Sequence, residues 1–182
     1  MKILVVIDMQ NDFISGVLGT KEAMEIVPKV IKKIQDWDDC IYATRDTHTN
    51  NYLNTQEGQK LPIVHCVLNT EGWAIQNEVA KALKDREVNE ETNIINKPIF
   101  GSYQLAMILQ DLAIRGNLEE VHLIGLCTDI CVISNAMTLK SFLPLDTRIV
   151  VDASCCAGVT PESHKTALEA MKMCQIEIIN EE

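Results

Sequence analysis

Ile3-Leu4-Val5-Val6-Ile7, closed by Asp8, is the stretch that decides the fold. It is a continuous apolar run rich in β-branched residues, too short for a helix and with no polar alternation. A strand of this kind is buried on both faces, as in a parallel sheet covered by helices on each side. Downstream, Ala23, Ile26, Val27, Val30, Ile31 and Ile34 give Glu22 to Trp37 helical spacing. Cys40 to Thr44 reads as a second strand. The polar, Gly- and His-containing stretch from Asp46 to Trp73 reads as a long loop, and loops of that length usually serve a site. A short helix is expected over Ile75 to Leu83, a solvated turn through the charge run Lys84 to Thr92, and a short strand over Thr92 to Asn96. Tyr103 to Arg115 has a helical apolar face with Gly116 as its stop. Val121 to Gly125 is a strand, followed by a helix capped by Thr128 or Asp129 and running to about Phe142. Arg148 to Val151 is a strand, Pro161 opens a helix reaching Cys174, and Ile176 to Ile179 is a last strand. Strands alternating with helices predict a Rossmann-like, three-layer α/β/α domain with a mostly parallel sheet of about six strands.

The chain has 182 residues, a length that suits one domain spanning 1–182. Its apolar share of 47% and charged share of 23% are ordinary for a globular protein. The longest apolar run is five residues, so no membrane span is expected. A net charge of −10 repels phosphate backbones and argues against nucleic-acid binding. Met1-Lys2 runs straight into the first strand and then Asp8 with no cleavage region, so no secretory signal is expected, and a cytoplasmic location is expected. Seven cysteines, an odd number with no C-x-x-C pair, fit reduced thiols rather than a disulfide framework or zinc knuckle.

In open α/β sheets ligands bind beyond the carboxyl ends of the strands. The residues expected there are Asp8, Gln10 and Asp12-Phe13 after the first strand, and Arg45-Asp46-Thr47-His48 after the second. Lys97 follows the third, and Leu126 to Cys131 the fourth. Cys131 falls in the first turn of a helix, where free backbone N–H groups favour an anion and lower a thiol's pKa. Lys97 adds positive charge, and Asp8 offers a proton acceptor and donor. Cys127, four residues earlier, is the competing thiol and makes a redox pair with Cys131 the alternative reading. Asp46, His48, Glu57 and His65 offer carboxylate and imidazole ligands suited to Zn²⁺, Fe²⁺ or Mn²⁺. The competing reading is an Asp capping its own turn beside exposed histidines. His122, inside a strand, and His164, near a helix start, are read as structural.

Three stretches together resemble the isochorismatase-like cysteine hydrolases, nearest the nicotinamidase and pyrazinamidase branch. Asp8-Met9-Gln10-Asn11-Asp12-Phe13 is similar to the family's opening motif, Lys97 falls at the family's lysine, and Gly125 to Val132 resembles the nucleophile motif. The resemblance implies a catalytic triad of Asp8, Lys97 and Cys131. It also implies a cis peptide at Leu126–Cys127 and an oxyanion hole from the backbone N–H groups of Cys127 and Cys131. Thr44 to His48 with His65-Cys66 resembles the nicotinamidase metal loop. It implies one divalent ion, zinc before iron or manganese, on Asp46, His48 and His65 with Glu57 as a fourth ligand. The chain departs from the branch at Leu61-Pro62-Ile63-Val64, where an aromatic residue usually precedes the last metal histidine. It departs again at Ile130 and at Pro98 to Tyr103. Phe13, Trp73, Phe100 and Tyr103 are candidate walls for a flat ring.

The implied activity is a metal-assisted cysteine amidohydrolase, converting nicotinamide to nicotinic acid and ammonia through a thioester, with NAD salvage as its setting. A related hydrolase of another amide, a carbamoyl compound or isochorismate is the nearest alternative, and a thiol redox or metal-binding protein on the same fold is the more distant one. The expected partner is a small amide, and the family implies a homo-oligomer.

Overall fold

The computed structural model describes residues 1–116 and 118–181; Asn117 and Glu182, which the expected 1–182 domain includes, lie outside the described residues. In chain order the elements are β1 (Lys2–Ile7), α1 (Asn11–Ile14), α2 (Lys21–Gln35), β2 (Cys40–Asp46), a 3₁₀ turn (Tyr52–Asn54), α3 (Gln56–Lys60), α4 (Asn77–Asp85), α5 (Glu90–Asn93), β3 (Ile94–Lys97) and α6 (Tyr103–Arg115). They continue with β4 (Glu120–Leu126), a π-helical turn (Thr128–Val132), α7 (Ile133–Phe142), β5 (Arg148–Ala157), α8 (Pro161–Met173) and β6 (Glu177–Ile179).

The six strands form one sheet in the order β3-β2-β1-β4-β5-β6, and every pairing is parallel. Period-two alternation divides β1 between two cores. Ile3, Val5 and Ile7 face α6, α7 and α8 through Leu105, Leu109, Ala136, Leu139 and Leu168. Leu4 and Val6 face α2 and α4 through Ile26, Val30, Ile34, Val79 and Leu83. Both faces are therefore dry, which accounts for the unbroken apolar run that opens the chain.

The strand order reverses between β1 and β4, so the crevice above their carboxyl ends is the topological switch point of the sheet. Gly125 sets how closely those ends approach. It has φ +116°, and a Cβ there would lie 2.1 Å from the Ile7 carbonyl oxygen, so only glycine lets β4 run this near β1.

Several local expectations are corrected. β5 continues to Ala157 rather than stopping at Val151, because after a register shift Gly125 and Leu126 pair with Cys156 and Ala157. The charge run before β3 ends in a helical turn, α5, whose first N–H groups bond to the Asn89 side chain. The long loop holds the 3₁₀ turn and α3, the latter capped by Thr55. Neither Thr128 nor Asp129 caps the helix after β4. Cys127 is the N-cap of the π turn, whose Ile130 and Val132 N–H groups both donate to its carbonyl, at 3.1 and 3.0 Å, and Val132 is the N-cap of α7. Thr128 and Asp129 are spent on the neighbouring element. The Thr128 hydroxyl pairs with His164 Nδ1 at 2.7 Å, and the Asp129 carboxylate accepts the Val159 N–H. All seven cysteines are free thiols. Among the described residues no helix is long and apolar enough to cross a membrane.

Candidate active site

At the switch point three strands deliver three side chains to one buried cluster. The backbone turns left-handed at Asp8, φ +48°, as it leaves β1. The Asp8 carboxylate accepts the Thr44 hydroxyl at 2.7 Å, and its N–H donates to the Thr44 carbonyl at 3.2 Å. Lys97, the last residue of β3, is 2% exposed. Its ammonium lies 2.6 Å from Asp8 Oδ2 and 3.4 Å from Cys131 Sγ, and donates to the Ile99 carbonyl at 3.2 Å. Cys131 sits in the π turn that follows β4, and the Leu126–Cys127 peptide is cis.

The electrostatics of this cluster differ from the simple expectation of a helix-activated thiolate. Burial pushes the Cys131 thiol well above its ordinary range, and the Asp8 charge pushes the same way against the pull of Lys97. A hydrogen bond to Asp8 further favours the protonated thiol. Burial also raises Asp8, against the opposing pull of Lys97. Lys97 itself is held above the usual lysine range: burial works against its charge, but Asp8, Cys131 and Asp46 outweigh it. The resting cluster is thus an ammonium, a carboxyl group and a thiol that burial holds in its protonated form. Cys127 is pushed up to about 12 by burial and the Asp129 and Asp8 charges.

Beside it lies a second constellation. Asp46, His48, Glu57 and His65 offer ligand atoms that all lie within 4.8 Å of one another. Asp46 Oδ2 is 3.0 Å from His48 Nε2 and 3.5 Å from His65 Nε2, and Glu57 Oε1 is 3.5 and 3.8 Å from the same nitrogens. Tetrahedral ligands about 2.05 Å from a zinc ion stand about 3.3 Å apart, so the spacing matches the edges of a coordination shell. Two atoms of the set, His48 Nε2 and Asp46 Oδ1, are buried without a hydrogen-bond partner, which is costly unless a cation fills that role. His65 Nδ1 donates to the Ile63 carbonyl at 2.7 Å, which fixes the tautomer and leaves Nε2 free as a ligand. Burial would raise the Asp46 carboxyl, but the His48 and His65 rings and Lys97 hold it well below the ordinary range. Lys97 Nζ lies 3.7 Å from Asp46 Oδ1 and so joins the two constellations.

The family model of the isochorismatase domain matches residues 2–182. The chain belongs to the isochorismatase family. Within this family it is similar to the nicotinamidase of Saccharomyces cerevisiae, 24% identical over 99% of this chain and 100% of the relative. It is 26% identical to the nicotinamidase/pyrazinamidase of Mycobacterium tuberculosis, over 98% of each chain. The crystal structure of a Pyrococcus horikoshii pyrazinamidase in complex with zinc superposes with a TM-score of 0.76 at 27% identity, covering 98% of each chain. These relatives place it near the nicotinamidase branch of the family.

The four candidate ring-binding aromatics are distributed unevenly. Phe13 packs edge-on against His65, ring centroids 5.6 Å apart. Phe100 is half exposed on the loop after Lys97. Trp73 donates its indole N–H to Thr47 Oγ1 at 2.8 Å, and its face is covered by the Arg45 guanidinium at 4.0 Å. Tyr103, at the first position of α6, is 63% exposed.

Other residues hold the site through contacts that their place in the sequence does not announce. Gln10 is fully buried and clasps Asp46 from both sides. Its Oε1 accepts the Asp46 N–H at 2.7 Å, and its Nε2 donates to the Asp46 and Trp73 carbonyls, both at 2.8 Å. Asp12 accepts the Cys66 N–H at 2.8 Å and so tethers the loop carrying His65. Tyr52 packs its ring on His48 and His65 at 4.6 and 4.9 Å and donates its hydroxyl to the Leu61 carbonyl. In the sequence the only signal is an aromatic residue inside a polar stretch, and its burial is seen only in the fold.

Proposed function

We propose that the protein is a nicotinamidase, converting nicotinamide and water to nicotinic acid and ammonia through a thioester on Cys131. That it is a hydrolase acting on a carboxamide carbon–nitrogen bond rests on its family and on the nicotinamidase relatives. The observation that carries the finer reading is the Asp8–Lys97–Cys131 cluster, joined through Lys97 to a two-His, two-carboxylate ligand set.

The proton inventory gives each side chain a role. Asp8 takes the thiol proton as Cys131 Sγ forms its bond to the carboxamide carbon. The N–H of Cys127, at the N-cap of the π turn, and that of Cys131, within the turn, receive the developing oxyanion, and each such donor contributes about 3–4 kcal/mol. Asp8 then returns the proton to the nitrogen as the C–N bond breaks, and ammonia leaves. In the second half Asp8 accepts a proton from water as its oxygen attacks the thioester. Collapse breaks the C–S bond, and the proton returns from Asp8 to Cys131. Lys97 stays charged throughout and compensates whichever partner is anionic. Asp46, His48, His65 and Glu57 would hold a divalent ion, zinc in the first instance, which would supply Lewis-acid chemistry to orient the heteroaromatic ring.

The test is ammonia release from nicotinamide before and after chelation. Release that is lost on chelation and restored by zinc, iron or manganese supports the reading. Metal-loaded protein that releases no ammonia from nicotinamide overturns the substrate, and a panel of other amides with isochorismate then identifies the replacement.

A further inference from the structure

The triad side chains come from separate segments, and their spacing depends on what ties those segments together. Between β3 and α6 the chain runs from Lys97 through Phe100 to Ser102 and packs on the start of α7. One residue spans that seam. Asn135, 1% exposed, stands four residues after Cys131. Its Nδ2 donates to the Cys131 carbonyl at 2.8 Å and to the Phe100 carbonyl at 3.1 Å. Its Oδ1 accepts the Ser102 N–H at 3.0 Å. Both amide donors and the carbonyl are thus engaged, in one orientation only.

The surrounding geometry leaves this clasp little slack. Gly101 lies between the two clasped residues, and a Cβ there would come within 2.9 Å of Thr138 Oγ1 and 3.2 Å of the Ser134 carbonyl oxygen, so the loop backbone lies directly on α7. Ser102, held by its N–H, in turn caps α6 by accepting the Leu105 N–H at 3.1 Å. At the other end of the loop Lys97 Nζ donates to the Ile99 carbonyl. The loop is therefore pinned to the lysine at one end and to the nucleophile's own helix at the other.

We infer that Asn135 is a positioning residue of the hydrolase, locking the backbone of Cys131 and the Phe100-bearing loop after Lys97 into a single frame. It touches no reacting atom; it acts through the placement of Cys131 relative to Lys97 and of the loop that carries Phe100. The inference rests on the proposed cysteine chemistry, and its test includes a readout that needs no amide substrate.

The experiment compares Asn135→Leu and Asn135→Thr with the unaltered protein, each loaded with zinc. Leucine keeps the volume and removes all three hydrogen bonds. Threonine keeps a hydroxyl able to reach the carbonyl four residues back but too short for the loop. For Asn135→Leu, kcat on nicotinamide falls ~10–100-fold, the loss typical of an ångström-scale misplacement, and iodoacetamide alkylates Cys131 at a changed rate. For Asn135→Thr, KM rises while kcat changes less, because the nucleophile stays tied and only the loop is released. If the leucine variant does not fold, the threonine variant carries the same comparison. A folded variant with a lowered melting temperature but unaltered kcat, KM and Cys131 alkylation overturns the inference. If the unaltered protein does not hydrolyse nicotinamide, the substrate assignment falls, and the alkylation rates still decide the role of Asn135.

Discussion

Replacing Lys97 by methionine removes one buried positive charge from among three acidic neighbours. Lys97 Nζ is 2.6 Å from Asp8 Oδ2 and 3.4 Å from Cys131 Sγ. At an effective dielectric of about 20 those separations correspond to roughly 6 kcal/mol with the carboxylate and about 5 kcal/mol with a thiolate. Both are gross attractions, and the net loss on breaking such a buried pair is about 3–5 kcal/mol. Asp8 has an escape from that loss. Burial already raises its pKa and Lys97 is the main opposing influence, so without the ammonium it binds a proton and becomes neutral. A neutral Asp8 cannot accept the thiol proton, and a thiolate formed some other way has no countercharge. The same substitution therefore disarms the base and destabilises the nucleophile, and kcat/KM for nicotinamide falls by about 10³-fold, the rate equivalent of roughly 4 kcal/mol. The pH dependence shifts in a defined direction. Activity rises with pH as Asp8 ionises, so the rise moves to higher pH in the variant. Steady-state ammonia release across the neutral range reads both effects, and alkylation of Cys131, slower in the variant, reads the second without substrate. Retention of activity within threefold with an unmoved pH profile would refute the charge-balance account.

Two further substitutions probe the frame around this cluster. Gln10→Leu removes the clasp on Asp46 and leaves the buried Asp46 N–H and carbonyl unpaired. It weakens zinc binding about 10–100-fold, as loss of a ligand's supporting hydrogen bonds does, measured by competition with a chromogenic chelator. Gly125→Ala places a Cβ against the Ile7 carbonyl in a backbone conformation unsuited to alanine. It lowers unfolding free energy by about 3–5 kcal/mol, read from denaturant melts.

Much of the architecture is legible because it depends on local pattern. The run Ile3 to Ile7 has no polar face, which only a doubly covered strand explains, and the spacing of Leu105 and Leu109 brings α6 to its observed bounds. Placing Asp8, Lys97 and the Cys127–Cys131 turn at strand ends puts them on one edge of the sheet, and the structure brings these side chains together. What local pattern does not carry is long-range partnership. Asn135 and Gln10 are ordinary polar residues until their acceptors arrive from other segments. Thr128 and Asp129 look like helix caps in isolation but are claimed by His164 and Val159. The expected lowering of the Cys131 thiol fails for a related reason: a helix start favours the thiolate by a fixed, modest amount. Full burial beside a carboxyl group, invisible in a linear reading, outweighs it.

The proposed mechanism puts the acyl group on Cys131 and not on its neighbour Cys127. Ammonia release from nicotinamide by zinc-loaded Cys131→Ala, set against Cys127→Ala, tests it most directly. Cys131→Ala is expected to fall to background with its zinc content unchanged. Cys127→Ala, which keeps the backbone N–H that position supplies, is expected to retain measurable turnover. Full turnover by Cys131→Ala would contradict it.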